Sequence, residues 1–218
     1  TQTFSITDAS RGNLLATLRK DASKYDIDIQ LNKFVTNGYL LSRQMPLNVR
    51  DTMITADISL QTHGHIAHDI WYNLAGDMDL SFSGGYIVGL GVDNFYASAN
   101  KINTFTFNAE YALADALTNG ESVIKKMRVV GKYNNGNFIT AQPFTLQMRH
   151  VDAYGEFDLD DGRMTVMLNM TMRGTAPTPA PVRLTISPDG TRNYSLTEIM
   201  TNFDSSFMRH FIKTHDKF

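Results

Sequence analysis

Three of the six histidines fall within ten residues, in the stretch Thr62-His63-Gly64-His65-Ile66-Ala67-His68-Asp69-Ile70-Trp71. Neutral imidazole is the commonest metal ligand, and a His-x-His pair followed by a third histidine and an aspartate has the composition of a metal site. Strand register argues the other way. Ile54, Ala56, Ile58 and Leu60 alternate with Thr55, Asp57, Ser59 and Gln61, the period of a strand with one buried face. If that strand runs on, Thr62, Gly64 and Ile66 stay inward, His63 and His65 fall on the wet face, and His68 sits across the pleat. Two ligands on one face need a third from elsewhere. The expectation is therefore solvated polar residues at a strand end, with no metal and no other cofactor.

Other chemistry is thinly represented. The chain has no cysteine, which removes disulfides, thiolate ligands and cysteine nucleophiles together. It also lacks a G-x-S-x-G elbow, a P-loop and an H-E-x-x-H helix. Asp160-Asp161 is a carboxylate pair, but followed by Gly162 it reads as a solvated turn. Asp77 and Asp79 share one strand face without a neighbouring acid–base partner. Gly84, Gly85, Gly89 and Gly91 do not follow the dinucleotide pattern and fit bends in a curved sheet. No catalytic residue is assigned, and an enzyme is not expected.

Composition narrows the partners. The chain has 218 residues, 42% hydrophobic and 19% charged, enough apolar material for one sizeable core spanning 1–218 as a single domain. Its formal net charge is −2 with Lys and Arg scattered, which argues against nucleic acid. No apolar run approaches membrane-spanning length, so stable membrane insertion is not expected. The chain opens at Thr1 without a signal-like segment, as a processed mature chain or a trimmed one would. Sequons at Asn169 and Asn193 add weak support for secretion.

The elements that must position any site divide by period. Leu14, Leu15, Leu18 and Ala22 recur at helical spacing, which predicts a short helix over 7–25. Residues 26–49 read as loop mixed with short strand. From 52 to 187 the period is two. Phe105, Phe107, Ala109 and Tyr111 form one such face, Phe144, Leu146 and Met148 another, and Met164, Val166, Leu168, Met170 and Met172 a third. Asn134-Asn135-Gly136 and Asp160-Asp161-Gly162 read as hairpin turns, so the sheet is antiparallel. Between Met148 and Val151 the inward phase slips by one, suggesting a bulge or bend. After the Pro-rich break at 176–181 come the strand VRLTI and a Pro188-Asp189-Gly190 turn. Ser195-Leu196-Thr197-Glu198 fits a capping box that opens an amphipathic helix over 195–215. The fold class expected is α+β: a long, strongly curved antiparallel sheet wrapped around that C-terminal helix, with a short N-terminal helix.

The segment DLSFSGGYIVGLGVDNFYASANKINTFTFNAEY resembles one in arthropod carriers of the tubular lipid-binding fold, the takeout and juvenile-hormone-binding relatives and the mite group-seven allergens. The matching residues are Ile87, Gly89 and Leu90 of an I-x-G-L step into a strand, then Phe95, Ile102, Phe105 and Phe107. PFTLQMRHVDAYGEFDLDDGRMTVMLNMTMRG resembles their strand, acidic-Gly hairpin and following strand, and LTEIMTNFDSSFMRHFIKTH resembles their C-terminal helix. The hormone binders usually carry an N-terminal cysteine pair that this chain lacks, which leans toward the mite type.

The resemblance implies a secreted carrier that holds an apolar small molecule (a lipid, terpenoid hormone or pigment) in an internal tunnel. Its lining would come from the inward faces: Ile58, Trp71, Phe82, Tyr86, Phe95, Phe105, Phe107, Tyr111, Leu146, Met148, Phe157, Val166, Leu168, Met170, Ile199, Phe203, Phe207 and Phe211. Tyr86, Tyr111 and Tyr154 could add hydroxyls to an apolar wall. The alternative is a non-catalytic structural or interaction protein with a solid core. A protein receptor or a homodimer is left open.

Overall fold

A computed structural model describes residues 1–7, 12–39, 48–99, 109–172 and 182–195. Within them the chain forms β1 (Gln2–Thr7), β2 (Asn13–Asp21), β3 (Lys24–Val35), β4 (Asn48–Arg50), β5 (Met53–His63), α1 (Ala67–Tyr72), β6 (Ala75–Ser83) and β7 (Tyr86–Val88). It continues with α2 (Val92–Ala99), α3 (Ala109–Thr118), β8 (Glu121–Asn134), β9 (Asn137–Thr140), β10 (Phe144–Met148), β11 (Val151–Asp160), β12 (Arg163–Met172), β13 (Val182–Ile186) and β14 (Arg192–Asn193). All pairings are antiparallel, in the order β1-β2-β3-β5-β6-β8-β10-β11-β12-β13-β14, with β4, β7 and β9 attached beside β8 and its neighbours.

The α+β expectation is overturned. The described chain is one large antiparallel sheet, and its three helices have six, eight and ten residues. None of these is a long amphipathic helix for a sheet to wrap. The stretch 196–218, which holds nearly all of the expected C-terminal helix, lies outside the described residues.

The sheet begins at Gln2 rather than at 52. In place of an N-terminal helix, residues 13–35 form a long hairpin, from Asn13↔Asn32 to Asp21↔Lys24 at its tip. Leu14 and Leu18 fit helical spacing, but Leu14, Ala16 and Leu18 fit alternation equally well. What decides is the partner: Tyr25, Ile27, Ile29 and Leu31 of β3 alternate cleanly and present a matching apolar row. Ala22 takes φ +52° to close the turn.

Two further expectations change. Ala109 and Tyr111, read as strand, lie in α3, and the I-x-G-L step leads from β7 through Gly89 (φ +89°) into α2 instead of a strand. The phase slip after Met148 is a two-residue connection, Arg149-His150, between β10 and β11. A separate register shift falls at Gln147/Met148 against β8. Both hairpin turns stand as read: Asn135 and Gly136 (φ +51° and +85°) join β8 to β9, and Asp161 and Gly162 (φ +46° and +74°) join β11 to β12.

Register sorts the sheet into two faces across its full width. One carries Thr17, Asp28, Ser59, Asp77 and Lys132 in a single cross-strand row, then Leu15, Gln30, Asp57, Asp79 and Val130 in the next. The other carries Leu18, Ile27, Leu60 and Gly76 in one row and Ala16, Ile29, Ile58 and Met78 in its neighbour. The main core lies on this apolar face, toward the C-terminal strands. There α2 and α3 supply Val92, Phe95, Ala116 and Leu117 against Ile124, Leu146, Met148, Val151, Met164, Val166, Leu168 and Leu184. A smaller cluster forms around Ile54, Ala56 and Phe82.

Candidate functional site

The apolar face is not covered evenly. Over β8 and β10–β13 the helices bury it, with Leu117, Met148 and Val151 fully excluded from solvent. Over β2, β3, β5 and β6 the equivalent positions Leu14, Leu18, Ile27, Ile29, Leu31, Ile58, Leu60, Met78 and Leu80 are all half-buried. β2 and β3 pack principally against their own sheet neighbours, so this end of the sheet is one layer thick in the described chain. On β1 the same face carries Phe4 and Ile6, 58% and 57% exposed. A contiguous aliphatic strip left half-open is the kind of surface that marks a ligand or partner. At its hairpin end Lys20 lies over the Tyr25 ring, 5.2 Å from the centroid, and puts one cation beside the strip.

The opposite face carries the ion pairs Arg19–Asp28 and Arg128–Asp79. Arg19 donates to Asp28 at 3.0 Å, and Ser59 donates to the other oxygen of Asp28 at 2.9 Å. These groups, with Leu15, Thr17, Gln30, Asp57 and parts of Ile29 and Ile58, line a groove of about 200 Å³. Arg128 holds Asp79 through two bonds, Nε to Oδ1 at 3.1 Å and Nη2 to Oδ2 at 2.7 Å. Those bonds keep the Asp79 carboxyl below the usual carboxylate range, which suits an ionised structural group and not a general acid. Asp57 stands directly across from Asp79, so the pair of like charges is offset by Arg128.

The three histidines separate. His63 ends β5 on the polar face, opposite Lys24. His65 lies exposed after the strand ends, and His68 is in α1, stacked on Tyr72 with ring centroids 6.2 Å apart. The strand does not run on to Ile66: Gly64 turns it, and Thr62 donates to the Ile70 carbonyl to seat α1. Among the described residues no three metal-type ligands gather.

The expected lining residues scatter in the same way. Phe82, Phe95, Leu146, Met148, Val166, Leu168 and Met170 are buried in the two core clusters, and Phe157 packs half-buried against Phe138 at 5.6 Å between centroids. Ile58 alone belongs to the half-open strip. Tyr86 lies under the Arg50 guanidinium at 4.3 Å, Tyr111 stands exposed on α3, and Tyr154 is exposed on the polar face. Trp71 is in α1, with nothing described of its side chain. Phe105, Phe107, Ile199, Phe203, Phe207 and Phe211 lie outside the described residues. Sequence reasoning misses the strip because Leu14 and Leu18 fit helical spacing and Ile27, Ile29 and Leu31 fall in a stretch that reads as loop mixed with short strand.

Three polar devices also went unread. Asp93 in the first turn of α2 accepts from the Val123 N–H at 2.9 Å and the His150 N–H at 3.2 Å, tying α2 to β8 and to the β10–β11 turn. Arg192 donates to the carbonyls of Gly89 and Leu117, the second at the C-terminal end of α3 where a cation is favoured. Burial holds the Arg192 guanidinium below its ordinary value. Arg50 of β4 pairs with Glu121 of β8 and with Asp51, and those anions raise it. Asp93 ahead of an apolar run was the one legible signal among these, as an acidic residue at a helix start.

No protein-family model, no curated protein and no solved structure matches this chain. Fold and site define its class by themselves: an antiparallel sheet protein, amphipathic across its width, with helices over one half of its apolar face.

Proposed function

We propose that the protein is a non-catalytic binding protein that takes an apolar small molecule on the half-covered strip of β2, β3, β5 and β6. One observation carries this reading. Leu14, Leu18, Ile27, Ile29, Ile58, Leu60, Met78 and Leu80 form a contiguous aliphatic surface on the core side of the sheet, and none of them is buried. Leaving such area in water is unfavourable by about 25 cal/mol per Å², which an apolar ligand would recover. Lys20 at the strip's end suits a ligand with an anionic head, as in a fatty acid. The tunnel drops out of the proposal, since it required a sheet wrapped around the C-terminal helix. Secretion fits this use, and the sequons at Asn169, on the polar face, and Asn193, on β14, agree with it.

Titration with a fluorescent fatty acid tests it. Saturable uptake by the native chain is expected, with at least tenfold weaker binding in Ile29→Asp. A folded chain that takes up none removes the reading. The second reading, an interaction protein, is favoured by the exposed Phe4 and Ile6 on β1, an edge better suited to another chain than to a small molecule.

A further inference from the structure

The two ends of the sheet are built differently. At one end β14 has two residues, one of them Arg192, and follows the Pro188-Asp189-Gly190 turn. A short edge strand flanked by proline and charge is how proteins prevent edge-to-edge pairing. At the other end β1, Gln2-Thr3-Phe4-Ser5-Ile6-Thr7, has six residues with no charge, no proline and no register break against β2. Its second edge pairs with no strand among the described residues. Alternate backbone N–H and C=O groups of β1 therefore point away from the sheet, beside side chains that are more than half exposed at Phe4 and Ile6.

We infer that this edge is a docking surface for β1 of a second copy of the same chain, joined antiparallel about Ser5. The strand is complementary to itself in that register. Phe4 of each copy falls opposite Ile6 of the other, Ser5 opposite Ser5, and Thr3 opposite Thr7. Apolar residues meet apolar ones, and hydroxyls meet hydroxyls. A shift of one residue would set Phe4 against Ser5 on mismatched faces. A shift of two would keep the faces but set Ile6 against Gln2 in one direction and carry Phe4 past the end of the partner's β1 in the other. With no charge anywhere on Gln2–Thr7, two copies approach without repulsion, and nothing on the edge selects a charged partner instead. The two apolar faces become continuous across the two-fold axis, from Leu14, Ala16 and Leu18 of one copy to those of the other. One six-residue strand pair buries less than the roughly 1,200 Å² of a standard interface, so the dimer is concentration-dependent. The inference goes beyond the ligand proposal and does not depend on it.

Absence of native cysteine makes the register directly testable. Residues paired across an antiparallel ladder have Cα atoms about 4.5 or 5.5 Å apart, both within disulfide reach. The 218-residue chain is examined by sedimentation velocity from about 1 µM to a few hundred µM, the range a small interface calls for. In parallel, Ser5→Cys and the opposite-edge control Asn193→Cys are exposed to a mild oxidant. The expected result is a monomer–dimer equilibrium, covalent dimer forming at least tenfold faster from Ser5→Cys, and at least tenfold weaker dimerisation in Phe4→Lys with an unchanged circular dichroism spectrum. A chain that stays monomeric throughout overturns the inference, as does a dimer in which Ser5→Cys links no faster than Asn193→Cys.

Discussion

Arg50 and Glu121 meet in two parallel hydrogen bonds, Nε to Oε1 at 3.1 Å and Nη2 to Oε2 at 2.6 Å, across the β4-β7-β8 corner. The guanidinium also covers the Tyr86 ring, which lies directly opposite Arg50 in the β4–β7 pair. Paired fork geometry is the case in which a partly exposed ion pair contributes measurably. A double-mutant cycle with Arg50→Ala and Glu121→Ala should give a coupling of about 1 kcal/mol that shrinks as salt is raised. Urea unfolding at two salt concentrations measures both quantities, and a coupling of zero would place the pair among the inert surface contacts.

Asp93 joins three elements that the chain connects only through long detours. Its carboxylate serves the N–H groups of Val123 and His150, while Ser122 donates to the Leu90 carbonyl at 2.6 Å beside it. Asp93→Ala removes the acceptor from a partly buried junction and should destabilise by about 1–3 kcal/mol. Asp93→Asn keeps one carbonyl oxygen and should lose less. Equal losses in the two variants, read from urea midpoints, would mean that the hydrogen bonds contribute nothing beyond the shape of the side chain.

Gly155 leaves no room for a side chain beside β12. A Cβ there would lie 1.6 Å from the Met167 carbonyl oxygen and 3.3 Å from the Phe144 ring, which packs opposite it on β10. Backbone cannot yield as a flexible side chain does, so Gly155→Ala should cost about 2–3 kcal/mol through forced strand displacement. Thermal unfolding of this variant, measured beside the native chain, checks the figure. A change within about 0.5 kcal/mol, the range of an ordinary surface substitution, would show that the strands can separate freely here.

Acid stability should depend in part on Asp79. Arg128 lowers its folded pKa below the value of about 3.9 expected for the unfolded chain. A carboxyl depressed in this way contributes stability above the unfolded value and loses it as pH falls through the folded one. Asp79→Asn should therefore reduce stability at neutral pH and flatten the decline below about pH 4, modestly because the pair is half exposed. Urea midpoints at several pH values in both chains read this out. An unchanged slope below pH 4 would remove Asp79 from the acid response.

Alternation and turn chemistry made much of the sheet legible from sequence. Met164, Val166, Leu168 and Met170 alternate with neighbours that are polar except for Met167 and are buried, and Asn-Gly and Asp-Gly turns close the hairpins they announce. The first third misled because Leu14 and Leu18 satisfy both periods, and only pairing with β3 decides between them. The helices after Gly89 were hidden because Ala109 and Tyr111 also fit a strand, and the apolar wall that selects α3 is far away in sequence.

The α+β class read from the amino-acid sequence is not the one formed. By itself the sequence determined that antiparallel strands with one apolar and one polar face run through much of 52–187, without thiol chemistry and with hairpin turns at 134–136 and 160–162. Those are local properties: side-chain period and backbone preference act within a few residues. Tertiary structure decided which part of the apolar face is covered. Helices α2 and α3 fall over β8 and β10–β13, leaving β2, β3, β5 and β6 half-open and β1 as a bare edge. It also decided the histidines. His63, His65 and His68 are neighbours in sequence, but a strand end, a glycine turn and a helix separate them, because positions close along a chain share a site only if its path returns them to one place.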